Sequence, residues 1–225
     1  MHIGLIGGIG VAATVAYYQR LTAAVDRIEL TIAHAQVSDL ERNFNADDRA
    51  AQAQIYAGLI DGLKAAGCDC VAITSLGGHF CFAETVALSS LPLVSGVTPL
   101  DPYFEREELG TIGILGTGRV METGFYGALE KTTALVPEGD LGRIGQAYQA
   151  MAIRGAARAE ETAMFLAEGQ KLIDRGADAV VLGGTDLGLV FDAADPGYRV
   201  VDALDIHVDV LARLATGQMT LDDVT

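Results

Sequence analysis

IGLIGG at residues 3–8 and IGILGT at residues 112–117 are one strand-and-turn phrase written twice, at an offset of 112 − 3 = 109. The same offset carries Val11 to Val120, Thr14 to Thr123 and Tyr17 to Tyr126. It also sets LKAAG at 63–67 against LIDRG at 172–176, and CDCVAI at 68–73 against ADAVVL at 177–182. A short apolar run that ends on glycine and leads into a helical pattern is the opening of a β-α unit. Written twice in 225 residues, it predicts two similar α/β domains of roughly 100 residues each. Two such copies facing each other would form a cleft with matching strand ends on opposite sides.

Around these phrases the chain alternates strands and helices. In the first copy we expect strands at 2–7, 29–37, 69–74 and 91–96, with helices at 11–25 and 49–66. The polar stretch ERNFNADDR at 41–49 reads as a mobile loop. In the second copy we expect strands at 111–115, 133–136 and 178–182, with helices at 120–130 and 155–175. Residues 200–217 read as a short strand and a closing helix. The strands are continuous apolar runs, as parallel strands covered on both faces require. The expected fold is therefore α/β, with two pseudo-symmetric doubly wound parallel sheets and a ligand cleft between them. The expected domains are 1–98 with 205–225, and 99–204. Ligands of such sheets bind beyond the carboxyl ends of the strands, which directs attention to residues 7–14, 38–49, 74–81, 95–98, 116–123 and 183–188.

Composition narrows the function. Fifteen Lys+Arg against 30 Asp+Glu leave a net charge of −15, which repels phosphate backbones and argues against nucleic-acid binding. No apolar run approaches the ~18 residues of a membrane span. Three cysteines do not make a disulfide framework, and MHIGLIGG lacks the pattern of a secretion signal, so a cytoplasmic protein is expected. Cys68 and Cys70 share one face of a strand start and read as packing. No Cys/His cluster suggests a metal site. Cys81 is expected early in a helix, where a helix N-terminus would lower its thiol pKa, but seven residues past Thr74, about 10 Å along a helix, it reads better as a buried packing residue.

The first glycine loop, Gly8, Ile9, Gly10, Val11, Ala12 and Ala13, fits the dinucleotide pattern G-x-G-x-x-A. The acidic partner that pattern needs is poorly placed: Glu29 falls at a strand start and Asp39 comes late. The matching loop, Gly116, Thr117, Gly118 and Arg119, lacks the third small residue. Both loops read better as backbone N–H cradles for a small carboxylate, with Thr14 and Thr123 one turn into their helices. Nucleotide-dependent chemistry is the weakest of the readings.

The strand ends carry more information. The first reads Thr74, Ser75, Leu76, Gly77, Gly78, His79, and the second Gly183, Gly184, Thr185, Asp186. With GLIGGIG and T-x-x-YY at 14–18, GILGT followed by METGFY at 113–126, RGADAVVLGGTD at 175–186, and D-x-x-x-x-H at 202–207, the whole chain resembles the aspartate/glutamate racemase superfamily. The resemblance implies cofactor-independent proton transfer on a small amino acid or carboxylate, with no metal, and it admits a homodimer. In that family the first strand end reads C-N-T-x-H or C-T-N-T-x-H and the second G-C-T-E, one cysteine acting on each face of the substrate's α-carbon. Read onto this chain, the cysteine positions are Thr74 and Gly184. Thr185 and His79 are retained, and the glutamate becomes Asp186.

Neither position carries a thiol. A threonine hydroxyl is a poor base without an activating partner, and glycine has no side chain, so two-thiol racemisation is not expected. His79 and Asp186 become the candidate proton-transfer groups. Gly8, Gly10, Thr14, Arg42, Ser75, Gly116, Thr117, Arg119, Thr185 and His207 become the candidate ligand contacts, with Arg49 beside Arg42. Arginine suits a carboxylate because its guanidinium can fork onto both oxygens. Altered proton-transfer, isomerase or lyase chemistry is the favoured reading. A protein that holds a carboxylate without turning it over is the alternative. Cysteines restored at 74 and 184 are expected to install weak racemisation.

Overall fold

The computed structural model describes residues 1–224. The chain divides into two compact units, one formed by Met1–Gly96 with the C-terminal segment from His207, the other by Val97–Ile206.

In the first unit β1 (His2–Gly7) leads through the glycine turn into α1 (Val11–Ala24), followed by β2 (Glu29–His34), α2 (Val37–Asn45), α3 (Arg49–Ala65), β3 (Cys70–Ile73), a 3-10 turn (Gly77–Cys81), α4 (Phe82–Leu88) and β4 (Leu93–Val94). In the second unit α5 (Leu100–Arg106) precedes β5 (Thr111–Leu115), α6 (Gly118–Gly127), β6 (Thr133–Leu135), α7 (Leu141–Arg154), α8 (Ala159–Asp174), β7 (Ala179–Leu182), α9 (Gly188–Phe191) and β8 (Val200–Asp202). Then come α10 (Ala203–Ala215) and a 3-10 turn (Leu221–Asp223).

Each unit holds one four-stranded parallel sheet, in the orders β2-β1-β3-β4 and β6-β5-β7-β8. The two orders are the same once the repeat is allowed for. In both sheets the central strands are the glycine-ended strand and the CVAI/AVVL strand. Their buried side chains include Ile3, Leu5, Ile6, Val71 and Ile73 in the first unit, and Ile112, Ile114, Leu115, Val180 and Val181 in the second. Each fully buried aliphatic side chain contributes roughly 1.5–3 kcal/mol, so the central strands anchor everything presented at their ends.

Two expectations fail here, and one element was not foreseen. The stretch read as a mobile loop is mostly helical. Within α2, Leu40 and Asn43 are buried, and Asn43 Nδ2 donates to Gln52 Oε1 on α3 at 2.9 Å. Only a tight turn separates these helices, with Asp47 at φ 50° and Asp48 capping α3 through Ala51 N–H at 3.0 Å. The helix expected at 155–175 is α8, but a helix that was not expected, α7, precedes it. Asp140 caps α7 by accepting from Arg143 N–H, Gly155 ends it at φ 69°, and Ile144, Tyr148, Met151 and Ala152 form its buried stripe. The strand expected at 29–37 stops at His34, so Asp39 sits in a helix and not at a strand end. That removes the acidic partner a dinucleotide ribose would need.

Candidate functional site

At the carboxyl end of the first sheet, the β1 turn and the β3 end are joined by hydroxyls. Thr14 Oγ1 accepts from Gly8 N–H and donates to Gly10 O, both at 2.9 Å. Thr74 Oγ1 donates to Ile6 O at 3.1 Å and lies 3.3 Å from Thr14 Oγ1. The Gly8 amide is thus engaged inside the loop. Gly8 has φ 90°, and a Cβ there would stand 2.7 Å from Ala35 O, so only glycine makes this turn. A Cβ on Gly7 would lie 2.8 Å from Thr14 Oγ1, which is how Thr14 reaches the strand end. The helix that follows starts at Gly10 with no side-chain cap, and its N-terminus is the part of this loop suited to an anion.

The two strand ends can be aligned through their backbone bonds. Ile6 pairs with Ile73 and Leu115 with Leu182. Thr74 N–H donates to Ile6 O at 3.0 Å, and Gly183 N–H to Leu115 O at 2.7 Å. Gly78 N–H returns to Ser75 O at 3.1 Å, and Leu187 N–H to Gly184 O at 2.9 Å. Thr74 therefore corresponds to Gly183, and the counterpart of Gly184 is Ser75. Ser75 also stands four residues before His79, the spacing of the shorter family motif. Thr74, which has the spacing of the longer motif, is fully buried and ties β3 to β1, while Ser75 is 8% exposed and its Oγ accepts from Gly78 N–H at 3.3 Å.

In the second unit the space beside Gly184 is occupied. A Cβ there would stand 2.6 Å from Tyr148 Cζ, with Cε2 nearer still. Tyr148 comes from α7, which sequence reasoning missed; its 144/148/151/152 stripe between an Asp cap and a Gly terminus was the available signal. The Tyr148 hydroxyl donates to Asp186 Oδ2 at 3.2 Å and accepts from Asp186 N–H at 3.4 Å. Burial, and then the Asp186 charge, push the Tyr148 hydroxyl well above the ordinary tyrosine range, so it is a permanent O–H donor. Thr185 and Asp186 are both buried. Glycines let these loops close: a Cβ on Gly116 would meet the Gly183–Gly184 backbone at 2.8–3.0 Å, and one on Gly145 would lie 2.7 Å from Gly118 N. Thr117 caps α6 by accepting from Val120 N–H at 3.3 Å.

The histidines lie deeper than expected. Gly96 N–H donates to His79 Nε2 at 3.0 Å, so Nε2 is an acceptor, and Nδ1–H donates to Ser75 O at 2.8 Å. This neutral tautomer bridges the β3 and β4 ends, and protonation would break the Gly96 bond. Burial depresses its pKa to about 4, which makes it a poor proton donor at neutral pH. His207 is fully buried, and its Nδ1 is hydrogen-bonded to Tyr17 OH at 2.8 Å. Burial, with the neighbouring His79 adding to it, lowers it to about 3.

The thiols are buried as well, as expected of packing residues. Cys81 lies in the 3-10 turn, fully buried, with its Sγ 3.8 Å from Gly78 O. Desolvation raises it to about 11 instead of lowering it. Cys70 is raised to about 12 and Cys68 is also raised, again by burial first. Of the candidate arginines, Arg42 is exposed and paired with Asp39 at 2.8 Å, Arg49 is paired with Asp47 at 3.3 Å, and Arg119 is half-buried in the first turn of α6. Thr123 is exposed and bonds its own helix, donating to Arg119 O at 2.6 Å. Among the described residues there is no group of side chains suited to a metal ion, and no helix long and apolar enough to cross a membrane.

Residues 6–211 match the Asp/Glu/Hydantoin racemase family, and the chain belongs to it. No curated protein sequence matches the chain. Among solved structures, it is similar to a crystal structure described as a putative Asp/Glu racemase from Yersinia pestis, with 23% identity, TM-score 0.78, and coverage of 96% of this chain and 100% of that one. It is also similar to an aspartate racemase homologue from Pyrococcus horikoshii, with 21% identity, TM-score 0.75, and coverage of 96% and 99%. A glutamate racemase from Francisella tularensis, solved with D-glutamate, matches at 14% identity and TM-score 0.71, with coverage of 96% and 81%. At these identities the likeness is one of fold.

Proposed function

We propose that this racemase-family protein binds a small carboxylate or amino acid at the carboxyl ends of its strands and moves a proton with the Asp186 carboxylate in place of thiols. The observation that carries this reading is the second strand end. Residue 184 has no side chain, the Tyr148 ring fills that space, and the same tyrosine holds the buried carboxylate of Asp186, two residues on. The D-glutamate bound by the Francisella tularensis relative supports an amino acid as the ligand class. Within the same unit, the N-terminus of α6, which follows Gly116 at the Gly183–Gly184 backbone, is suited to the ligand's carboxylate, and its positive end would stabilise the enediolate that forms when the α-proton leaves.

In the proposed step the α-C–H bond breaks, the proton passes to an Asp186 oxygen, and the electron pair moves into the ligand's carboxylate. The reverse step returns a proton from Asp186 to carbon. Inversion requires delivery from the opposite face. The residue that corresponds to 184 in the first unit, Ser75, offers only a hydroxyl, which is a weak acid and base. The chemistry supported is therefore α-proton exchange that outruns racemisation. The test is incubation with L- and D-aspartate, glutamate and related acids in D₂O, following the α-proton by NMR and the enantiomers by chiral chromatography. Exchange lost by ~100-fold or more in Asp186→Asn is expected for removal of a general base. Binding without exchange across that panel would instead favour a non-catalytic carboxylate-binding protein, in keeping with the engagement of both His79 nitrogens inside the first unit.

A further inference from the structure

The geometry points to Tyr148 as the positioning residue of the second strand end: its ring stands where a side chain on residue 184 would stand, and its hydroxyl fixes the Asp186 carboxylate. This inference rests on the proton-transfer reading above and adds to it a residue on α7 that lies 36 positions before Gly184 (184 − 148 = 36).

Two independent contacts support it. The first is steric. An ideal Cβ on Gly184 would fall within 2.9 Å of three atoms of the Tyr148 ring, a separation that no real Cβ contact sustains. The helix that carries the ring is close-packed, because α7 approaches the start of α6 through Gly145, where a Cβ would lie 2.7 Å from Gly118 N. Neither side can relax cheaply, so glycine at 184 and tyrosine at 148 specify each other. The second contact is the two-point clasp on Asp186. Tyr148 accepts from the Asp186 backbone and donates to its carboxylate. A clasp on both the main chain and the side chain of one residue leaves its carboxylate little rotational freedom. The hydroxyl also stabilises the ionised form, as a base requires. Tyr148 itself is 5% exposed and acts through Asp186.

Five variants test this. Tyr148→Phe keeps the ring and removes the clasp. Its melting temperature should stay near that of the wild type, while the acidic limb of the D₂O exchange profile moves to higher pH and exchange below that limb falls by about tenfold, the worth of one charge-assisted hydrogen bond. Gly184→Cys should lower the melting temperature sharply, and Tyr148→Ala with Gly184→Cys should recover most of the loss relative to Tyr148→Ala alone. An exchange profile of Tyr148→Phe superimposable on the wild type would overturn the positioning role. A Gly184→Cys protein as stable as the wild type would overturn the steric one. If Tyr148→Phe fails to fold, Tyr148→His, which keeps a ring and a donor, must restore folding and part of the exchange, or the role is structural only. A wild-type protein that exchanges nothing would instead defeat the proposed function itself, and the melting cycle does not depend on turnover.

Discussion

His79 and His207 are neutral in the folded protein because burial leaves no room for their charge, at about 4 and about 3 respectively. The unfolded chain protonates them near pH 6.5. The stability that depends on their neutrality is therefore complete above pH 6.5 and drains as the pH falls toward 4 and then 3. With two groups titrating only in the unfolded state, the slope between pH 5.5 and 4.5 should approach ~2.7 kcal/mol per pH unit. Urea unfolding at pH 7.5, 5.5 and 4.5 measures it, and His79→Leu should lower the slope by about one proton. A stability profile flat to pH 4.5 would contradict the burial argument. None of this was readable from spacing alone. The sequence placed His79 correctly after a glycine turn, but the acceptor role of Nε2 depends on Gly96, 17 residues away, and on a loop closure that no local pattern encodes.

The elements of the second unit show where local patterns suffice and where they do not. The helix α7 has a complete set of helix signals, yet Pro137, Gly139, Gly142 and Gly145 disguise them as loop. Those glycines serve a turn or a close approach: Gly139 takes φ 93°, and Gly145 admits the backbone of α6. Missing α7 meant missing Tyr148. The α6 helix ends in a left-handed stretch, Gly124, Phe125 and Tyr126 at φ 54°, 55° and 61°, which turns Phe125 into the core beneath Gly183. A Cβ on Gly124 has open space, its nearest neighbour being Ala134 Cβ at 3.9 Å. Gly124→Ala should therefore cost only the left-handed backbone penalty, ~1–2 kcal/mol, measurable by denaturant unfolding. A neutral result would show that the stretch adopts another conformation. The α5 helix carries Asp101, whose buried carboxylate accepts from the amides of Glu130, Lys131 and Thr132 at 3.0–3.1 Å. Against the cost of its burial, the Thr132 hydroxyl and then these amides hold its pKa below the usual carboxylate range. Asp101→Ala orphans three amides ahead of β6 and should destabilise the protein by about 3 kcal/mol or more. A change under 1 kcal/mol in its unfolding free energy would contradict that accounting.

Across the molecule, the duplication was the most legible feature because it is written in the central strands, where burial on both faces leaves little choice of residue. IGLIGG and IGILGT became β1 and β5, and the sheets they centre share one strand order. The same repeat, read through the strand pairing, moves attention from Thr74 to Ser75 and so redefines which positions correspond. What the repeat could not supply was the filling of those positions, which comes from elements outside the matched phrases: Tyr148 from α7, and Gly96 and Tyr17 behind the histidines. The central claim is that this racemase-family protein moves protons without thiols, through one carboxylate. It is tested most directly in a Cys68→Ala, Cys70→Ala, Cys81→Ala protein incubated with each enantiomer of aspartate and glutamate in D₂O. The account predicts α-deuteration of at least one enantiomer at close to the wild-type rate, with configuration largely retained. Loss of exchange in that cysteine-free protein while it remains folded, or deuteration that always accompanies inversion, would contradict it.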